Sequence, residues 1–116
     1  MKREVILFID DILISINAIE DFSTKMSKEK LINNRLYQSA IVREIEIIGE
    51  AVKSIPTSFR EKHPEIPWAK MAGMRDVIIH SYFSVDLGTV WKVIKDDLPI
   101  LKKQILKIKK ELEGKE

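Results

Sequence analysis

The segment Arg75-Asp76-Val77-Ile78-Ile79-His80-Ser81-Tyr82 gathers several groups able to do chemistry within a short run. At about 100° per residue, Asp76 and His80 fall one turn apart on the same face of a helix, where the carboxylate can hydrogen-bond or pair with the imidazole. A neighbouring anion favours the protonated ring, which lets His80 exchange protons near neutral pH as general acid or base work requires. Arg75 brings a planar fork of donors that can grip two oxygens of a phosphate gaining charge and stays cationic at any relevant pH. Tyr82 is nearly two helical turns from Arg75 and shares a neighbouring face. Arg75 and His80 are five residues apart, roughly 140° around a straight helix, so they do not stand on one strip. Their convergence needs either a long arginine side chain bending around the helix or a second copy of the chain that supplies the other half of the site. The same residues would also serve as an exposed polar network that fixes helix packing, and spacing alone leaves both readings open.

These groups have to be carried by helices. Val5, Phe8, Ile9, Ile12, Ile16, Ile19 and Phe22 recur at three-and-four spacing and predict a long first helix. Ser23, Thr24 and Ser27 then break the pattern, and Ser27 is placed to cap a short turn that brings Leu31 and Ile32 inward. Asn33 and Asn34 open a second long helix, with Leu36, Tyr37, Ala40, Ile41, Ile45, Ile48, Ala51, Val52 and Ile55 on its apolar side until Pro56 stops it. Gly49 inside that helix costs about 1 kcal/mol relative to alanine and suggests the close approach of another helix. Pro56, Pro64 and Pro67 predict a connector with short helical turns, anchored by Trp68. A further helix is expected from Met74 to Phe83, ending before Ser84. A last one, capped by Asp86, runs through Val90, Trp91, Ile94, Leu98 and Leu101, with Pro99 kinking or restarting it. Leu101, Ile105, Ile108 and Leu112 alternate with Lys102, Lys103, Lys107, Lys109 and Lys110 in an amphipathic C-terminal helix with a basic outer face. With no convincing strand pattern and no internal repeat, the expected architecture is an all-α antiparallel helical bundle forming one domain over residues 1–116.

Composition narrows the functional classes. The 116 residues include 20 basic and 18 acidic side chains, a net charge of +2. This balance argues against a broad basic face for duplex nucleic acid and confines any such contact to a local patch. Cysteine is absent. That excludes disulfides, thiolate zinc sites and a cysteine nucleophile, and it suits a reducing cytoplasm. The apolar stretch from Val5 to Ile9 is ended by Asp10 and Asp11 before a signal-peptide core could form, and no run approaches the roughly 20 apolar residues of a membrane span. His63 and His80 are the only histidines, and no carboxylate cluster completes a metal site with them. His63 is expected in a turn.

The run Arg75-Asp76-x-x-x-His80-x-Tyr82 resembles the R-x-x-x-x-H-x-Y signature of HEPN-domain proteins of the HepT type. Ile47-Ile48-Gly49-Glu50-Ala51-Val52 is similar to the I-G-E-A segment of that family. Pro64-Glu65-Ile66-Pro67-Trp68 and Met71-Ala72-Gly73-Met74-Arg75 resemble the linker into its motif, and Val85-Asp86 with Val90-Trp91 resembles the segment on the C-terminal side of that motif. The likeness runs in order from Arg3 to about Leu101, which makes it far more specific than the short signature alone. It implies an all-helical HEPN fold that forms a homodimer, with the two motifs facing each other across a cleft, and metal-independent endoribonuclease activity without a cofactor. In that family's terms His80 acts as base or acid on the ribose 2′-hydroxyl or the leaving oxygen, Arg75 stabilises the anionic phosphorus, and Asp76 orients and charges the histidine.

The resemblance also implies that the chain is the toxin of a toxin-antitoxin pair. Its partner would be a minimal nucleotidyltransferase antitoxin that silences it by transferring AMP to Tyr82. The added bulk and negative charge would close the cleft to an RNA backbone; otherwise Tyr82 reads as a half-buried aromatic whose hydroxyl finds a helix partner. The alternative function is a non-catalytic module that binds nucleotide or substrate for a nucleotidyltransferase, and a plain dimerisation bundle is the third. Glu50 near Gly49 reads as a solvated acid or as a group approaching Arg75 or the dimer seam. The basic face from Lys102 to Lys110 reads as a solvated surface or as an attractor of RNA or antitoxin. Trp68 and Trp91 read as core or interface anchors.

Overall fold

The computed structural model describes the backbone of residues 2–80 and 87–114 and the side chains of residues 4–74 and 87–114. The expected end of the third long helix before Ser84, the Asp86 cap and Tyr82 all lie outside the described residues. Within them every regular element is helical: α1 (Lys2–Thr24), α2 (Lys28–Asn33), α3 (Arg35–Ser54), α4 (Thr57–Glu61), α5 (Trp68–His80), α6 (Leu87–Lys92), a π-helical turn (Val93–Asp97) and α7 (Leu98–Gly114). None of these helices is long and apolar enough to cross a membrane.

The expected stripes build the core. Ile9, Ile12, Ile16 and Ile19 of α1 are fully buried, as are Ile41, Ile45 and Ile48 of α3, and the two helices pack together. Leu98, Leu101, Ile105 and Ile108 bring α7 onto α1. Each such side chain contributes about 1.5–3 kcal/mol by leaving water. Ion pairs from Asp10 to Lys109 at 2.8 Å and from Glu20 to Lys102 at 2.7 Å fix α1 and α7 as antiparallel neighbours, since one number rises as the other falls. Gly49 is buried within α3, which packs against both α1 and α5.

Local chemistry sets the breaks. Ser27 caps α2, its hydroxyl oxygen accepting from the Lys30 N–H at 3.1 Å. Only Leu31 turns inward; Ile32 stays 45% exposed, because adjacent positions of a one-turn helix point about 100° apart. Asn34 caps α3 by accepting from the N–H groups of Leu36 and Tyr37, so Asn33 closes α2 rather than opening α3. Leu36, expected on the buried stripe, is exposed in the first turn of α3, where its neighbour Tyr37 is the residue that packs against the core. The Gln38 amide reaches back to donate to the carbonyls of Leu31 and Ile32, which satisfies the C-terminal end of α2. Pro56 ends α3 as expected, after Ser54.

Two boundaries differ from the sequence expectation or sharpen it. The third long helix, expected to begin at Met74, begins at Trp68, where the Met71 N–H donates to the Pro67 carbonyl at 3.0 Å. A proline there initiates the helix instead of interrupting it, since a first-turn position needs no N–H donor. At Pro99 the chain restarts through the π-helical turn. The Leu98 N–H reaches the Val93 carbonyl, one residue further back than in an α-turn. The wider turn accommodates a proline whose ring would crowd the carbonyl four residues earlier and has no N–H to offer it.

Candidate active-site helix

The candidate residues Arg75, Asp76 and His80 belong to α5, and the connector ahead of it determines where that helix starts. Trp68 is 7% exposed, and its indole N–H is shared between the carbonyls of His63 at 2.9 Å and Arg60 at 3.1 Å. Arg60 in turn donates from Nε to the Ile55 carbonyl and from its guanidinium to Thr57 Oγ1. The His63 ring lies 4.6 Å from the Phe59 ring, and its Nδ1 is 3.5 Å from Glu65. His63 is therefore a connector residue, as expected, occupied by its own neighbours. These contacts pin the end of α3 and α4 to the first turn of α5. Trp68, Met71 and Met74 then recur every third residue and are buried, which seats α5 on α3.

From that anchored start α5 continues without a break to His80. Helical register along it puts Asp76 and His80 one turn apart, about 40° around the axis. Arg75 is about 140° from His80 and about 7.5 Å away along the axis. The backbone thus carries positions 75–80 on one continuous helix and keeps positions 75 and 80 on different strips. The side chains of Arg75, Asp76 and His80, and all of Tyr82, lie outside the described residues.

The other candidates are placed directly. Glu50 is exposed on α3. Within the basic C-terminal face, Lys102 and Lys109 are drawn into ion pairs with α1, while Lys103, Lys107 and Lys110 remain exposed. The Asp10 carboxylate raises the Lys109 ammonium pKa above the ordinary lysine value, through hydrogen bonding first and Coulomb attraction second. Trp91 packs against the core and carries the Lys95 ammonium 4.8 Å from its ring centre, so it is an anchor rather than a free stacking platform. Among the described residues no group of three or more His, Asp or Glu side chains is arranged to hold a metal ion.

The sequence did not single out Lys70 and Asp97. They approach to 3.4 Å and join α5 to the π-helical turn across a cleft of about 270 Å³. No spacing rule foretells this pair, since its partners are far apart in sequence and meet only because the π-helical turn sets the position of Asp97.

The chain matches the ribonuclease HepT-like family over residues 12–108, most of its length, and belongs to that family. "Putative RNase MJ1216" of Methanocaldococcus jannaschii is 48% identical over 115 residues, covering 99% of this chain and 95% of the relative. "Probable ribonuclease HepT" of Thermococcus cleftensis is 44% identical over 110 residues, covering 95% of this chain and all of the relative. "Gamma-glutamylcyclotransferase and putative RNase MJ0434" of Methanocaldococcus jannaschii is 45% identical over 113 residues, 97% of this chain, which spans only 51% of that relative's length. No solved structure matches the chain.

Proposed function

We propose that the chain is a metal-independent endoribonuclease with Arg75 and His80 as its catalytic residues. His80 takes the proton of a ribose 2′-hydroxyl as that oxygen attacks phosphorus, or returns a proton to the 5′-oxygen as the P–O5′ bond breaks. Arg75 stabilises the crowded phosphorane with a fixed positive charge, and Asp76 holds and charges the imidazole. The observation that supports the reading is the unbroken α5, pinned by Trp68 and carrying the Arg75 and His80 register, in a member of the ribonuclease HepT-like family. Because register keeps the two residues on different strips, a homodimer that brings two copies of α5 together is part of the proposal.

The finer reading makes this single domain the cytoplasmic toxin of a toxin-antitoxin pair, restrained when a nucleotidyltransferase adds AMP to Tyr82. Incubation with ATP and such a transferase, followed by intact-mass measurement, should show AMP-sized additions that disappear in Tyr82→Phe. An unchanged mass rejects that regulation. For the chemistry, cleavage of a single-stranded RNA in the presence of EDTA should leave 2′,3′-cyclic phosphate and 5′-hydroxyl ends. A substrate with a 2′-deoxyribose at the cleaved position should resist. Cleavage of that substrate, or a requirement for added metal, overturns the mechanism.

A further inference from the structure

Beside α5 lies a cleft of about 270 Å³ with a built floor and rim. Its floor is Met71, Met74, Leu98 and Leu101, all buried, and its rim carries Glu65, Lys70, Asp97 and Gln104. We propose that this cleft is a subsite that seats one unpaired, amino-bearing nucleobase of the RNA next to the cleaved phosphodiester. The proposal rests on reading the chain as a ribonuclease and adds to it a determinant of sequence preference.

Size, chemistry and register each support the assignment. The volume is just below the roughly 300–1,000 Å³ of ordinary small-molecule pockets, so it suits a single flat ring system rather than a larger ligand. Methionine thioethers make favourable contacts with aromatic rings and adapt to their shape, and two of them form the floor. The rim is richer in acceptors than donors. The Asp97 carboxylate faces one ammonium, Lys70, at 3.4 Å and keeps further lone pairs to accept with, while the Glu65 carboxylate lies 3.5 Å from His63 Nδ1. Gln104 spends its amide N–H on the Glu65 carbonyl at 3.0 Å, which leaves its side-chain oxygen to accept. This surplus of acceptors disfavours a phosphate and favours the N–H edges of adenine, cytosine or guanine over uracil, which has no amino group. Helical register places the cleft beside the motif, because positions 67, 71 and 75 are successive members of one strip. Pro67 and Met71 line the cleft, and Arg75 is the next position along. A base seated on Met71 and Met74 would therefore lie about one helical turn from backbone position 75.

The test uses the intact chain with carbon-13 methyl-labelled methionine. The sequence has methionine at positions 1, 26, 71 and 74, so Met26, which does not line the cleft, serves as an internal control. Titration with the 3′-monophosphates of adenosine, cytidine and guanosine should shift the Met71 and Met74 methyl signals and leave Met26 in place. Uridine 3′-monophosphate should bind about tenfold more weakly, the factor that corresponds to one lost charge-assisted hydrogen bond. Asp97→Asn should erase most of that preference while the remaining methyl spectrum reports an intact fold. Unmoved Met71 and Met74 signals, or equal responses to all four nucleotides, overturn the subsite. RNA cleavage distinguishes this failure from failure of the ribonuclease reading. His80-dependent cleavage that ignores the flanking base, together with silent methyls, removes the subsite alone. Base-selective methyl shifts without any cleavage of RNA remove the ribonuclease reading and leave a nucleotide site.

Discussion

At the scale of single residues, Trp68 shows how a distant anchor bears on the chemistry. Its one N–H serves two carbonyls, and a phenyl ring at that position would remove this tie, leaving each carbonyl only its backbone donor, Ile66 N–H for His63 and His63 N–H for Arg60. Trp68→Phe should lower unfolding stability by about 1–2 kcal/mol in urea titration and loosen the start of α5, so that RNA cleavage falls along with it. Lys109 gives a prediction with a sign. Its ammonium holds its proton more tightly in the folded chain than in the unfolded one, because of Asp10. The contribution of the pair is therefore complete below the ordinary lysine pKa, about 10.4, and is lost as pH rises through the higher folded value. Thermal melts of the parent chain and Asp10→Asn should differ by a constant amount at neutral pH and converge only in strong alkali. A gap that closes near neutrality would show that the pair is not what ties α7 to α1.

At the scale of elements, α1, α3 and α7 were legible because apolar residues at three-and-four spacing coincide with what the core buries. The breaks were legible where a side chain acts locally: Ser27 and Asn34 both cap as their types suggest. Asn34→Ala should cost about 1 kcal/mol by removing the acceptor for two N–H groups, measurable by chemical denaturation, and should leave the fold intact. The start of α5 was obscured by the three prolines ahead of it and by Gly73 within it, although Trp68, Met71 and Met74 already carried a helical stride. Ile32 was misplaced because α2 is too short to present two adjacent residues to one face. The π-helical turn was legible only as a disturbance at Pro99. Which way the chain would yield depends on the packing of α6 and α7 against that turn, which no local pattern encodes. The cleft between α5 and α7 was invisible in the sequence for the same reason.

At the scale of the whole molecule, the net charge is +2, and on the basic face of α7 Lys102 and Lys109 are drawn into ion pairs while Lys103, Lys107 and Lys110 stay exposed. In the proposed mechanism RNA recognition is concentrated around α5, where each chain would offer Arg75 and His80. The core that holds this arrangement rests on the α1–α3 seam. Ile45→Ala there should cost about 2–5 kcal/mol by cavity formation and lower activity only as far as it lowers the folded fraction. The proposed catalytic residues should behave differently, since their loss should spare stability. The decisive measurement is the rate of cleavage of one single-stranded RNA, in EDTA, by the parent chain, His80→Ala and Arg75→Ala at matched folded concentration. The account predicts that His80→Ala is slower by about 10²–10⁴-fold and Arg75→Ala by about 10²–10³-fold, with unchanged melting temperatures. Equal rates for all three proteins would contradict it.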